Sequence, residues 1–284
     1  MRRLLLCGEG HGCQATYRGL VKAGIEFDLL SKDEVLLGLA KEDSRRLADS
    51  IDSWIQSKDD VVFSSAYGPK ISNETLERAD VINVHYAPLP RYRGLHATVW
   101  AILNGEKDVG FTFHKMDEYL DSGPIFYQEK LEIGSKSSWD LMLEMDERVE
   151  SIVGEVVTKY MNKELDLIPQ NEDEGIFVTK RNMNDCKVDW KEWSAIHFER
   201  ILQALVPPYP RPFFIHKDKT YEIVEAEIDH RNYLEIPGHL VYINEEFVWI
   251  KLKDGLLKLK KVSIDGEIIE AKKVFPRIGV RFKS

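Results

Sequence analysis

A chain of 284 residues with 43% hydrophobic and 10% aromatic side chains can bury one large core or two modest ones, and lacks the signature of a disordered protein. Its 39 Lys and Arg against 48 Asp and Glu leave a net charge of −9, which favours solubility and disfavours a large nucleic-acid footprint. The scattered Cys7, Cys13 and Cys186 include no C-x-x-C pair, so neither a disulfide framework nor a zinc site is expected, in keeping with a reducing, cytoplasmic compartment. The apolar run before Cys7 is too short for a signal sequence, and no stretch is long enough for a membrane span.

Residues 4–7 predict a strand, followed by Gly8-Glu9-Gly10-His11-Gly12-Cys13 and a helix to residue 23, the opening unit of a parallel α/β sheet. The G-x-G-x-G spacing lacks the third glycine of a dinucleotide site, which argues against NAD. A second strand is expected over 26–30, a helix over 40–55 with Leu47, Ile51, Trp54 and Ile55 inward, and a buried strand over 60–64 ending in Ala66-Tyr67-Gly68. A short helix over 73–78 precedes another strand, then come a helix over 95–103, strands over 109–116 and 125–133, and a long amphipathic helix over 137–160. Residues 164–180 are polar and read as a surface excursion. A helix over 195–206 and Pro207-Pro208-Tyr209-Pro210 lead into short strands over 213–216, 221–227, 240–243, 247–251 and 256–262, a small β-barrel pattern.

The stretch 82–94 carries the chemistry. In a strand Asn83 and His85 point the same way, and Pro88 and Pro90 place them at its carboxyl end, which in an open α/β sheet borders the ligand crevice. The dipeptide alone reads equally as a strand pair satisfied by loop backbone. The whole stretch, however, resembles the N-x-H-x-S-L-L-P-x-Y-R-G signature of folate-dependent formyltransferases, the family of methionyl-tRNA formyltransferase, glycinamide ribonucleotide transformylase and the N-formyltransferases of nucleotide-linked amino sugars. Met116 to Ile125 resembles that family's M-D-x-x-x-D-[TS]-G-D-I loop. Ala87 and Pro88 stand where the family has Ser-Leu, and Pro124 where it has Asp. Weaker likenesses lie at Gly12-Cys13, at Ala66-Tyr67-Gly68, and across 176–190, 198–205 and 237–241. The resemblance implies a Rossmann-like formyltransferase domain over 1–188, then a linker helix and OB-like β domain over 189–284. The glycinamide ribonucleotide enzyme lacks such a second domain.

Formyl transfer between nitrogens passes through a tetrahedral intermediate with a developing oxyanion and an amine that must lose a proton. Asn83 suits the oxyanion, His85 suits base or oxyanion chemistry, and Asp121 would hold the imidazole or take the proton through water. Which of His85 and Asp121 takes the proton stays open at this point. The resemblance implies N10-formyltetrahydrofolate as donor and no metal, with Tyr67, Gly68 and Asp117 toward the folate, although Asp117 and Glu118 also read as solvated loop carboxylates. Gly10, His11, Gly12, Arg93 and His96 are the residues expected toward the substrate; Arg93 reads equally as a brace for its loop. The acceptor implied is a dTDP- or UDP-linked amino sugar of surface-polysaccharide (O-antigen) biosynthesis, with no membrane partner and nucleic acid disfavoured; a homodimer is one assembly considered, and the sequence leaves the oligomeric state open. The alternatives are a methionyl-tRNA formyltransferase, disfavoured by the acidic balance and the sugar-enzyme-like segment 95–100, and a non-catalytic folate- or nucleotide-binding module.

Overall fold

The computed structural model describes residues 2–283. They form two compact units that interleave along the chain: one runs to Trp100 and adds Asp108–Glu132 and Asp140–Lys180, the other joins Ala101–Lys107 and Ile133–Trp139 to the chain from Arg181 onward.

In chain order the first elements are β1 (Leu4–Gly8), α1 (Gly10–Lys22), β2 (Asp28–Leu30), α2 (Glu34–Glu42), α3 (Ile51–Trp54), β3 (Val61–Ser65), α4 (Asn73–Arg78) and β4 (Asp80–His85). There follow β5 (Arg93–Gly94), α5 (Ala97–Asn104), β6 (Asp108–Lys115), β7 (Ile125–Glu132), α6 (Ser138–Met161) and β8 (Phe177–Val178). The main sheet has the order β2-β1-β3-β4-β6-β7, parallel from β2 to β4 and antiparallel beyond. β1 and β3 are buried at every position, as expected of parallel strands covered on both faces. Because β1, β3 and β4 run the same way, the loops after Gly8, Ser65 and His85 all open at one carboxyl edge of the sheet. This is the Rossmann-like layer that the pattern predicts.

One predicted helix moves. Asp33 caps α2 by accepting from the Val35 and Leu36 amides, so the helix begins before residue 40 and ends at Glu42. The chain then leaves the helix to pair with β2, Leu29 donating to Arg46 and accepting from Ala48, which turns Leu47 out to solvent. Only Ile51, Trp54 and Ile55 of the expected face join the core.

The second unit carries α7 (Ala195–Ala204), β9 (Phe213–His216), β10 (Lys219–Asp229), β11 (Leu240–Ile243), β12 (Val248–Lys251), β13 (Leu256–Ile264), β14 (Glu267–Glu270) and α8 (Ala271–Val274). Its antiparallel sheet runs β11-β12-β13-β10-β9, with β14 added to β13. Register shifts in β10 on either side of Glu225 curl it toward the half-barrel shape of an OB-like module. The core is aromatic: Trp190 meets Phe214 and Phe282 at ring separations of 5.4 and 5.5 Å. Among the described residues no helix is long and apolar enough to cross a membrane.

Candidate active site

The register of β4 on β6 sets the site. Asn83 lies opposite His114 and His85 opposite Thr112, and partners directly across an antiparallel ladder share a face. Asn83 and His85 therefore stand on one face, beside two polar side chains of β6. His114 donates from Nδ1 to the Lys115 carbonyl at 3.0 Å, which leaves Nε2 to accept from the Asn83 amide at 3.2 Å. The ring is 1% exposed, and burial lowers its pKa to about 4 against the opposing pull of the Asp121 carboxylate. It is neutral at pH 7, and it holds the Asn83 carboxamide in one plane.

His85 has the reverse arrangement. Its Nε2 donates to the Tyr92 carbonyl at 2.8 Å, so in the neutral ring Nδ1 keeps the lone pair. That Nδ1 stands 3.7 Å from Asp121 Oδ2, while Asp121 Oδ1 is 3.8 Å from His114 Nε2. Asp121 Oδ2 also accepts from the Gly94 amide at 2.9 Å. An amide donor, an imidazole lone pair and a carboxylate thus converge at the carboxyl end of β4.

The loop bearing Asp121 is built by its own residues. Asp121 takes φ 51°, a left-handed conformation that Asp tolerates. Asp117 accepts from the Ser122 hydroxyl at 2.6 Å and the Tyr119 amide at 3.0 Å, so this carboxylate closes the loop. Gly123 passes so close to β6 that an added Cβ would lie 1.8 Å from the Lys115 carbonyl oxygen. Only glycine fits there.

Arg93 corrects one expectation. The guanidinium is 1% exposed, and its fork is taken by Gln170 at 2.8 and 3.1 Å and by Glu172 at 2.7 and 2.8 Å. Planar bidentate pairing of this kind is a brace, so Arg93 does not face a substrate. Gln170 in turn donates to the carbonyls of Asp121 and Gly123, both at 2.8 Å. The segment read as a surface excursion is therefore the outer support of the Asp121 loop, and β8 within it pairs with β5.

The remaining expected residues are spread over the same edge. Tyr67 is half-buried and packs with Met116 on the apolar cluster of Leu5, Cys7, Val62 and Val81, on the face that Asn83 extends; burial pushes its phenol pKa up. Gly68 is exposed, and a Cβ there would meet nothing within 4 Å. The Gly10 amide is already donated to Asp33 at 2.8 Å, Gly12 lies against the Tyr86 ring, and His11 is paired with Asp146. His96 is half-buried at φ 61°, just before α5.

His114, Thr112, Gln128 and Gln170 are members that sequence reasoning missed. Thr112 donates to the Ala87 carbonyl at 2.7 Å and accepts from the Leu89 amide and from Gln128, which holds the turn where Ala87 and Pro88 replace the family residues. A signal existed: Thr112 and His114 are the polar alternates to Phe111 and Phe113 in β6. Among the described residues no group of three or more His, Cys, Asp or Glu side chains is arranged to hold a metal ion.

The fold sets these groups at the carboxyl edge of a Rossmann-like domain. Residues 14–156 match the model of the formyl transferase family and residues 181–277 match its C-terminal domain, and the chain belongs to that family as an enzyme that transfers a formyl group. It is 27% identical over 230 residues to the methionyl-tRNA formyltransferase of Alkaliphilus oremlandii, covering 79% of this chain and 70% of that protein. The N-formyltransferase of Helicobacter canadensis, solved with folinic acid and dTDP-3-aminofucose, has a TM-score of 0.71 at 18% identity, over 91% of this chain and 99% of that one. The methionyl-tRNA formyltransferase of Clostridium thermocellum has a TM-score of 0.58 at 14% identity, over 95% of this chain and 100% of that one.

Proposed function

We propose that this enzyme moves a formyl group from N10-formyltetrahydrofolate to the amine of a dTDP- or UDP-linked amino sugar. The residues fit the donor: Tyr67 and Met116 offer a half-buried apolar surface for a flat ring on the face where Asn83 stands. Bound there, formyltetrahydrofolate supplies an activated formyl carbon on nitrogen. One N–H of Asn83 is held by His114 and the other is left to meet the developing oxyanion, a contact of the kind whose removal costs about 3 kcal/mol. His85 takes the proton of the attacking amine on Nδ1, and the Asp121 carboxylate 3.7 Å away stabilises the imidazolium that results. Asp121 is thus assigned to orientation and charge, not to the first proton transfer.

What supports a small acceptor is the pairing of lysines in the second unit. The runs that stand out in an acidic sequence are Lys258-Lys260-Lys261 and Lys272-Lys273. Lys258 pairs with Glu227, Lys260 with Glu225 and Glu246, Lys261 with Glu225, and Lys273 with Glu270, while Lys272 donates to the Glu245 carbonyl. Positive charge cancelled in place releases few counterions on nucleic acid. The names of the sequence relatives favour the second reading, formylation of methionyl-tRNA.

The test offers formyltetrahydrofolate with amino-sugar nucleotides and with charged initiator tRNA, at low and moderate salt. Turnover of a sugar nucleotide with mild salt dependence is expected. Efficient, salt-sensitive tRNA formylation without sugar turnover overturns the reading in favour of the second.

A further inference from the structure

The candidate base is held by a carbonyl seven residues further along the chain, His85 Nε2 donating to Tyr92. That carbonyl keeps its place only if the turn between the two residues is fixed. Tyr92 is buried and takes φ 62°, a left-handed conformation that a bulky residue adopts only where its surroundings enforce it. On the far side of the turn the backbone supplies part of the hold: the Arg93 amide donates to the Ile176 carbonyl at 2.8 Å and the Ile176 amide to the Pro90 carbonyl at 3.3 Å. On the near side, at residues 87–89, side chains of β6 and β7 supply it.

His85 lies opposite Thr112, and Thr112 opposite Gln128, so the three stand in one row across β4, β6 and β7 and share a face. The Gln128 amide gives one hydrogen to the Leu89 carbonyl at 2.8 Å and the other to the Thr112 hydroxyl at 2.9 Å. A carbonyl can only accept, which fixes the end of the amide that faces the turn. The Thr112 hydroxyl receives Gln128 and, at 3.2 Å, the Leu89 amide, so its own hydrogen is left for the Ala87 carbonyl at 2.7 Å. Each hydrogen in the row thus has one direction. Thr112, Ala87 and Leu89 are buried, so loss of the Gln128 amide strands the Leu89 carbonyl without that donor in a sheltered place.

We propose that Gln128 is a positioning residue for the base: through Thr112 and Leu89 it fixes the turn that carries the Tyr92 carbonyl, and so keeps the His85 hydrogen on Nε2 and the lone pair on Nδ1, the atom on the Asp121 side. Gln128 acts through the turn and is assigned no contact with the formyl group or the amine. With the turn loosened, the Tyr92 carbonyl no longer selects one tautomer, and the fraction of rings able to take a proton on Nδ1 falls. The inference rests on His85 as the base of formyl transfer, and one arm of its test needs no substrate.

That arm is the ¹⁵N spectrum of the His85 ring in wild type, Gln128→Leu and Gln128→Glu. The neutral wild-type ring is expected to carry its hydrogen on Nε2, and both variants to show a mixture of the two tautomers. The second arm is kinetic: both variants should lower kcat about tenfold with KM for formyltetrahydrofolate held within about twofold, the pattern of an interaction made in the transition state. Gln128→Glu keeps the length of the side chain while its carboxylate cannot donate to Leu89, so it answers even if Gln128→Leu folds poorly. A purely structural glutamine would lower the melting temperature and leave the tautomer as in wild type, and that result overturns the inference whether or not kcat falls. Near-full activity of His85→Ala would instead overturn the assignment of the base; the spectrum still decides whether Gln128 holds the ring, and an unmoved tautomer sinks the positioning role there too.

Discussion

The face of β4 and β6 and the sheet of the second unit spend their polar residues in opposite ways. On β4 and β6, Asn83, His85, His114 and Thr112 are tucked into the sheet, and each hydrogen has a definite direction. On β10 and β13 the charges are numerous, solvent-facing and mutually cancelled, Glu225 alone meeting two lysines. A handful of fixed dipoles in a sheltered place can act on a reaction, whereas paired surface charge in water does little beyond keeping the surface neutral. The difference teaches where substitutions should matter.

The largest effects should come from Asn83→Ala, His85→Ala and Asp121→Asn. Each is expected to lower turnover by about two to three orders of magnitude while the far-ultraviolet circular dichroism stays native. The losses should not multiply in double variants, because the three groups act on one intermediate. A single variant with near-full activity would remove that residue from the chemistry.

His114 sharpens the comparison through pH. Its pKa is lowered to about 4 in the folded state, below the unfolded value near 6.5, so the unfolded chain binds the proton first as pH falls. Its contribution to stability is complete above pH 6.5 and is lost between about 6.5 and 4, by up to about 3 kcal/mol. Urea unfolding at pH 7, 5.5 and 4.5 should show a steeper decline in wild type than in His114→Gln. Equal slopes would mean that the ring is not held neutral. Turnover of His114→Gln should also fall, by about tenfold, since Asn83 loses the partner that orients it.

The smallest effects belong to the second unit. Lys260→Gln or Lys261→Gln should leave turnover within about twofold and the salt dependence unchanged, as expected of exposed pairs. A marked loss of activity confined to low salt would point instead to a polyanionic partner on that sheet.

How much of this was legible beforehand follows the same division. Asn83, His85 and Asp121 could be read because strand alternation, the prolines at 88 and 90 and a second motif in order constrain them locally. His114 could not, since its role depends on the register of β4 against β6, which alternation alone does not specify. The bracing role of Arg93 was undecidable from its own neighbourhood, because Gln170 and Glu172 lie almost eighty residues away. The start of α2 was missed by following apolar spacing past a capping Asp33 that governs it.

Arg93, Gln170 and the Asp121 loop also carry a consequence for how the site loosens. The Gly94 amide is bound to Asp121, Ile125 and Ile168 exchange backbone hydrogen bonds, the Ile176 amide reaches Pro90, and the Trp100 indole holds the Thr179 carbonyl. Segments about eighty residues apart are thereby laced together, so their amides should exchange with solvent together. The Asp121 carboxylate should accordingly be as durable as the stretch 168–179. A protease nick there, far from Asp121 in the chain, would silence the enzyme without touching any residue that meets the formyl group.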